Sequence, residues 1–294
     1  MSDQSTNDLI FAGMAKTRGA RRTDEVIDAL RSAIVVGDLA RGARLPSERV
    51  LAQQFGVSQP TMREAVRALE AMGLVEARHG SGAYVTGDAS AFIGKALQTL
   101  MQIERVGILD VVELRLVLAK YSVSRAARLA TDEILDQADA FEHSLSELSE
   151  LGDYGQVAQA ALAFQVAVSA ASRSPLLFSL ESFLSELLIA FQLIAWRTDE
   201  GFIAEWRQWR ESFKRDRRRL IEALRARDEA WAVEAMVTYL ERQRTHFGSY
   251  EALRDLNLAD SEAIAAVAEA GLQPPGYREL HLGSRSVEES SAAE

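Results

Sequence analysis

The chain has 294 residues, 48% of them hydrophobic, with 5 Pro, 18 Gly and no Cys, enough for two domains of ordinary size. The lack of cysteine excludes disulfides and thiolate metal sites and suits a reducing compartment. The net charge of −10 is unevenly placed: residues 1–86 hold 11 Lys/Arg against 10 Asp/Glu and the remainder 22 against 33, so the overall charge does not exclude a nucleic-acid partner for the N-terminal part.

In chain order, residues 1–20 are polar and mixed, the composition of a flexible arm. The opening MSDQSTNDLIFAG lacks the charged start and apolar run of a secretory signal. The longest apolar stretch, LLIAFQLIAW, is shorter than the roughly 18–20 residues that cross a bilayer, so a cytoplasmic protein without a membrane segment is expected. From Asp24, the residues Val26, Ile27, Leu30 and Ile34 form one apolar helical stripe that Gly37 ends. The loop DLARGARLP leads to Ser47, an N-cap residue for SERVLAQQFG. Phe55, Gly56 and Val57 make a turn, and Ser58 caps a second helix in which Pro60 fits the first turn. Two short alternating runs, Leu74–Arg78 and Ala83–Thr86, then flank His79-Gly80-Ser81-Gly82, the pattern of a glycine-tipped hairpin.

Helix, helix-turn-helix and hairpin in this order predict a winged helix-turn-helix over residues 21–87. After a linker at Gly87–Ala91, seven helices are predicted at about 90–103, 107–129, 132–150, 154–172, 175–196, 202–226 and 229–248. Breaks are expected at Gly107, Thr131, Gly152, Pro175, Gly201 and Asp228. The fold class is thus mainly α, a small α+β winged domain joined to an all-α bundle over 88–250. Residues 251–294 read as an acidic, mostly disordered tail with one short helical option near Ser261–Ala270.

The segment ARLPSERVLAQQFGVSQPTMREAVRALEAMGLVEARHGSGAYV resembles the winged-helix domain of GntR-type bacterial transcription regulators almost end to end. The likeness combines the Pro-Ser-Glu-Arg start, the Gly-Val-Ser turn, the Arg-Glu-Ala helix, the Gly-Leu-Val exit and the His-Gly-x-Gly wing. The second domain, with ELRLVLAKYSVSRAA early and RLIEALRARDEAWAVEAM late, resembles the FadR-type branch and its FCD ligand-binding bundle. The two likenesses cover about residues 22–248.

A helix-turn-helix presents the first residues of its second helix to base edges in the major groove; here these are Ser58, Gln59, Thr61 and Arg63, with Arg67 a turn later. The resemblance implies DNA contacts at Arg49 and Arg63 and a wing at His79, Gly80 and Gly82. Arg44 and Arg78 are candidates for phosphate contact. For any one of these arginines a solvated surface charge is the rival reading. Gln59 departs from the Arg usual in the family. A glutamine amide pairs best with adenine, whereas a guanidinium forks onto guanine, so a changed operator base is expected there.

The resemblance also implies a metal site in the bundle, from an Asp, a His four residues on, and one His on each of the last two helices. Those positions fall at Ala161, Gln165, Arg217 and Tyr239, none of which keeps its ligand type, so no bound metal and no cofactor are expected. His79, His143, His246 and His281 offer no replacement, since His143 and His246 read as lacking neighbours of ligand type. A cavity lined by Gln165, Arg217 and Tyr239 remains a candidate for an anionic effector, with Arg115 matching an effector contact of the family. Two readings of Arg217 stay open, a pocket cation or a solvated, salt-bridged helix face; for Lys214, Arg215, Arg218 and Arg219 the second is favoured. Phe164, Phe191, Trp196, Trp206, Trp209 and Trp231 are either pocket walls or core.

The expected function is a ligand-responsive, DNA-binding regulator, a homodimeric repressor on a near-palindromic operator, released by a small organic acid or acyl-type effector. The alternative is an effector-independent DNA-binding protein whose helical domain only dimerises. No nucleophile-base pair or phosphate loop points to an enzyme.

Overall fold

The computed structural model describes residues 22–78, 82–86, 90–151, 154–198, 200–261, 263–265, 272 and 280. The chain divides into two compact units, Met1–Ala96 and Leu97–Glu294. The expected N-terminal arm lies outside the described residues.

The first unit contains α1 (Arg22–Val36), α2 (Glu48–Phe55), α3 (Gln59–Ala71), β1 (Val75–Arg78) and β2 (Gly82–Val85). Its core forms because each helix carries one apolar stripe: Val26, Leu30 and Ile34 from α1, Leu51 and Phe55 from α2, and Met62, Ala65 and Leu69 from α3 are buried together. Leu30, Leu51, Met62 and Leu69 are completely enclosed, worth roughly 1.5–3 kcal/mol each relative to exposure. The Ser47 hydroxyl accepts the Val50 N–H and starts α2; Gly56, at φ 64°, adopts the left-handed conformation that ends it. Strands β1 and β2 pair antiparallel, with Val75 opposite Val85 and Arg78 opposite Gly82. The stretch read as a plain loop before α2 does more than connect. The Gly42 N–H donates to Val85 O, the Val85 N–H to Ala43 O and the Leu45 N–H to Ala83 O, so residues 42–45 cover the outer edge of β2. An exposed strand edge offers unpaired backbone groups, and buried Leu45 anchors the segment against it.

In the second unit the helices are α4 (Ser90–Ile103), which begins before the division, α5 (Ile108–Leu129), α6 (Asp132–Leu151), α7 (Tyr154–Ala170), α8 (Pro175–Thr198), α9 (Glu200–Arg225) and α10 (Glu229–Ser249). Six of them close a ring in which each packs on the next: α5, α10, α9, α6, α7, α8 and back to α5. Along α7, Val157, Leu162, Val166 and Val168 on different faces are all buried, so this Ala-rich helix is enclosed on every side. Asp228 caps α10 by accepting the Trp231 N–H at 3.0 Å. Gly201, expected as a break, sits inside the first turn of α9.

Two expectations change here. Pro175–Leu193 of α8 is long and apolar enough to cross a membrane, so the apolar stretch is longer than read from LLIAFQLIAW alone; 67% of that window is buried inside the unit, and the helix belongs to the core. The segment after Tyr250 was expected to be mostly disordered, but its described part is packed. A short α11 (Glu251–Arg254) leads to an antiparallel bridge between Gly107 and Asn257, and Leu253, Leu256, Leu258, Ala263 and Leu280 are buried. The rest of that segment, including most of Ser261–Ala270, lies outside the described residues.

Candidate DNA interface and effector cavity

At the start of α3 the Ser58 hydroxyl accepts the Thr61 N–H at 3.2 Å and lies 2.8 Å from the Thr61 hydroxyl. These two side chains, expected at base edges, are therefore engaged with each other in the cap. Gln59 is exposed beside them, and Gln59, Arg63 and Arg67 follow at i, i+4 and i+8 along one solvent-facing line of the helix. Arg63 Nε donates to Glu48 Oε2 at 3.0 Å, tying α3 to the first turn of α2. Arg49 is exposed on α2. On the hairpin, Gly82 has φ +108°, a conformation that strains any residue with a Cβ, and a Cβ there would also press on Arg44 Nε at 3.2 Å. Arg78 stacks 4.6 Å from the Tyr84 ring centre and reaches Glu76 at 3.3 Å. His79 and Gly80, the expected wing tip, lie outside the described residues.

Inside the helical ring of the second unit is a cavity with about 40 Å³ of space for the centre of a water molecule, lined by side chains from α6, α7, α8, α9 and α10. The sequence-selected positions Ala161, Gln165, Arg217 and Tyr239 all line it. So do Trp196 and Trp206, which are at the same time buried members of the core, so the two readings hold together for them. Phe164 and Phe191 are buried core, and Trp209 and Trp231 pack at its margin.

Arg217 is 6% exposed, which settles the choice against a solvated face. Its Nη2 lies 3.4 Å from Glu142 Oε1 on α6, and Arg218 Nε is 3.4 Å from the other oxygen of this fully buried carboxylate. The Ser146 hydroxyl donates to Glu142 Oε1 at 2.7 Å. The rest of the basic run behaves as a surface: Arg219 pairs with Glu234, and Arg215 donates to Ser212.

Arg115 does not line the cavity. It stands one residue behind the wall, donating from Nη1 to Gln243 Oε1 at 3.0 Å, and Gln243 Nε2 donates to the Tyr239 hydroxyl at 3.3 Å. A guanidinium only donates, so Arg115 fixes which end of the Gln243 amide faces the cavity. Burial pulls the Arg115 guanidinium below its ordinary value, opposed by Tyr239 and Glu181. Burial likewise raises the Glu181 carboxyl, opposed by Ser169, Arg115 and Ser122.

The metal site implied by the family likeness does not fit these residues. A methyl, an amide, a guanidinium and a phenol meet in the cavity, and the guanidinium repels a cation. Among the described residues no three His, Cys, Asp or Glu side chains come together. His143 does have a neighbour of ligand type, contrary to expectation: Glu147 Oε1 lies 3.3 Å from its Nε2, on the exposed surface. His246 is buried against the Phe202 and Tyr250 rings.

Sequence reasoning missed Glu142, Ser149, Gln192 and Gln243; Arg210, which shares a helix face with Lys214 and Arg217 in the sequence, lines the cavity beside Arg217, whereas Lys214 does not. Several carried a readable signal, since Gln192 lies four residues before Trp196 and Gln243 four after Tyr239, the spacing that shares a helix face.

Residues 22–85 match the family of bacterial regulatory proteins, gntR family, and residues 110–242 match the FCD domain. The chain is 31% identical over 154 residues to the HTH-type transcriptional regulator LutR of Bacillus subtilis, covering 52% of this chain and 69% of that one. It is 32% identical over 159 residues to a putative L-lactate dehydrogenase operon regulatory protein of Escherichia coli, covering 52% and 60%. Over 116 residues it is 37% identical to the transcriptional repressor NanR of an Enterobacter species, covering 38% and 44%. In three dimensions, Streptococcus agalactiae GntR superposes with a TM-score of 0.58 at 23% identity, covering 76% of this chain and 99% of that one, a likeness of fold. With a gntR-type winged helix, an FCD bundle and relatives that are regulators and not enzymes, the chain belongs to the GntR family of ligand-responsive, DNA-binding transcriptional regulators.

Proposed function

We propose that the protein is a homodimeric repressor that binds a near-palindromic operator and leaves it when a small organic anion enters the bundle cavity. The observation that carries this reading is the half-open cavity in the bundle with Arg217 buried in its wall. Holding a guanidinium out of water is costly unless something anionic repays it, and Glu142, shared with Arg218, neutralises only part of the local charge. The name of the Escherichia coli relative, which ties it to a lactate dehydrogenase operon, fits a small carboxylate, and that of NanR fits repression.

On the DNA side, Gln59 and Arg63 read base edges, while Arg44, Arg49 and Arg67 hold phosphates, with Ser58 and Thr61 shaping the helix start between them. Gly82 belongs to the wing, to which the family likeness also assigns His79 and Gly80, outside the described residues. Two copies are needed because one short helix reads too few base pairs to stand out in a genome. The effector acts by binding the DNA-competent and DNA-incompetent states with different affinity. Such a regulator works in the cytoplasm, where its operator lies.

The test is selection of genomic fragments on the full chain, followed by fluorescence anisotropy of the recovered site with small organic acids added. A two-fold-symmetric site released by an acid is expected. DNA affinity indifferent to every acid would leave the bundle a dimerisation device and sink the ligand-controlled reading.

A further inference from the structure

We infer that the cavity binds the carboxylate of a small hydroxy acid directly on protein N–H groups, Arg217 Nε and Trp196 Nε1, with no metal ion between. The inference rests on the reading of this cavity as the effector site and adds how the ligand is held and which ligand class fits.

The argument starts from hydrogen-bond accounting. Buried N–H groups are almost always paired, because an unpaired one forfeits its hydration without return. Among the described residues nothing accepts from Arg217 Nε or Trp196 Nε1, although both side chains are more than nine-tenths buried and both line the cavity. An indole N–H and a guanidinium N–H only donate, so what satisfies them must accept, and beside a guanidinium an anionic acceptor is favoured. A carboxylate has that property and the matching charge, and it is the smallest common organic anion that does. Arg217 still has charge to give: its other edge faces Glu142, but that single carboxylate is shared with Arg218.

Gln165 supplies the second half of the specificity. Its Nε2 donates to the Tyr239 hydroxyl at 3.4 Å, while its Oε1, also buried in the cavity wall, has no donor among the described residues. An acceptor beside two anion-binding donors suits a ligand whose carboxylate is followed by a hydroxyl. Gln165 and Arg217 fall at positions where the family likeness implies metal ligands. An amide and a guanidinium there replace recognition through a cation with recognition by the chain itself.

The experiment uses the full chain dialysed against EDTA. Binding of lactate against propionate, and of glycolate against acetate, is measured by calorimetry with and without added Zn²⁺. The hydroxy acid of each pair is expected to bind at least about tenfold tighter than its partner, unchanged by metal. Trp196→Phe keeps an aromatic ring to pack on Tyr154, which stacks on the indole at 5.1 Å, and removes the donor, so both members of a pair should weaken about tenfold. Arg217→Lys keeps a charge for Glu142 while losing Nε and should weaken both by at least as much. Gln165→Leu should leave propionate binding intact and bring lactate down to it.

Binding that appears only with Zn²⁺, or that ignores the hydroxyl, overturns this inference while leaving the cavity as the effector site. Binding that none of the three substitutions alters overturns the placement in the cavity itself. No binding of any of the four acids overturns the ligand class. Since Trp196→Phe and Gln165→Leu leave the Glu142–Arg217 pair untouched, the test survives even if Arg217→Lys fails to fold.

Discussion

Gln59 and Arg63 stand four residues apart on the exposed line of α3, yet their surroundings differ. Arg63 is clasped by Glu48, a pair 52% and 33% exposed and so worth no more than about 0–1 kcal/mol to stability. Its value lies in orientation, because a guanidinium held at Nε keeps its outer fork aimed. Gln59 follows directly on the capping Ser58, whose exchange with Thr61 fixes the backbone beneath it. Changing Gln59→Arg should therefore transplant a different donor pattern onto an unchanged frame. The predicted outcome is a shift toward guanine at one base pair of each half-site, worth about 1–3 kcal/mol in discrimination, read by selection from a randomised operator. An unaltered preference at every position would show that Gln59 reads no base.

At the scale of elements, the helices were largely legible because their punctuation is chemical. Ser47, Ser58 and Asp228 accept the N–H groups that open α2, α3 and α10, and Gly56 takes the left-handed turn that closes α2. Positions decided by a distant partner were not legible. Leu253, Leu256 and Leu258 sit in a short polar context, and only the bridge to Gly107 makes them core. Within the run from Lys214 to Arg219 every basic residue looks alike in sequence; the rotation of α9 turns Arg217 toward buried Glu142 and leaves Arg218 and Arg219 half exposed. Glu181, inside the mostly apolar α8, belongs to the same class and gives a pH signature. Burial raises its carboxyl above the ordinary value of 4.5, so the native chain holds more of this proton than the unfolded chain does. Its contribution to stability therefore falls as pH rises from about 4.5, until the folded carboxyl has itself ionised. Glu181→Gln cannot ionise, and its stability should decline less steeply than wild type between about pH 5 and 8, by at most about 1.4 kcal/mol per pH unit. Urea denaturation of both proteins across that range checks it, and parallel profiles would place the Glu181 titration outside the window.

For the whole molecule, the proposed homodimer needs a surface on which two copies meet, and α5 carries one suited to it. Leu114, Val117 and Tyr121, at i, i+3 and i+7, are 44%, 66% and 57% exposed, an apolar line on a helix whose opposite face, with Val112, Ala119 and Val123, is deep in the core. A helix packed across a two-fold axis meets its own copy, so one apolar line serves both sides of the contact. If this line joins the homodimer, a charge in its centre is desolvated twice in the same interface. Val117→Glu should then yield monomers in sedimentation equilibrium, with the thermal transition of the isolated unit little changed because the side chain faces water in the monomer. Operator binding should fall by about 10²-fold or more, since the second half-site loses its tether, while affinity for a single half-site stays as it was. A variant that remains dimeric would move the interface away from α5, and a wild-type chain found as a monomer on its operator would remove the homodimer from the mechanism altogether.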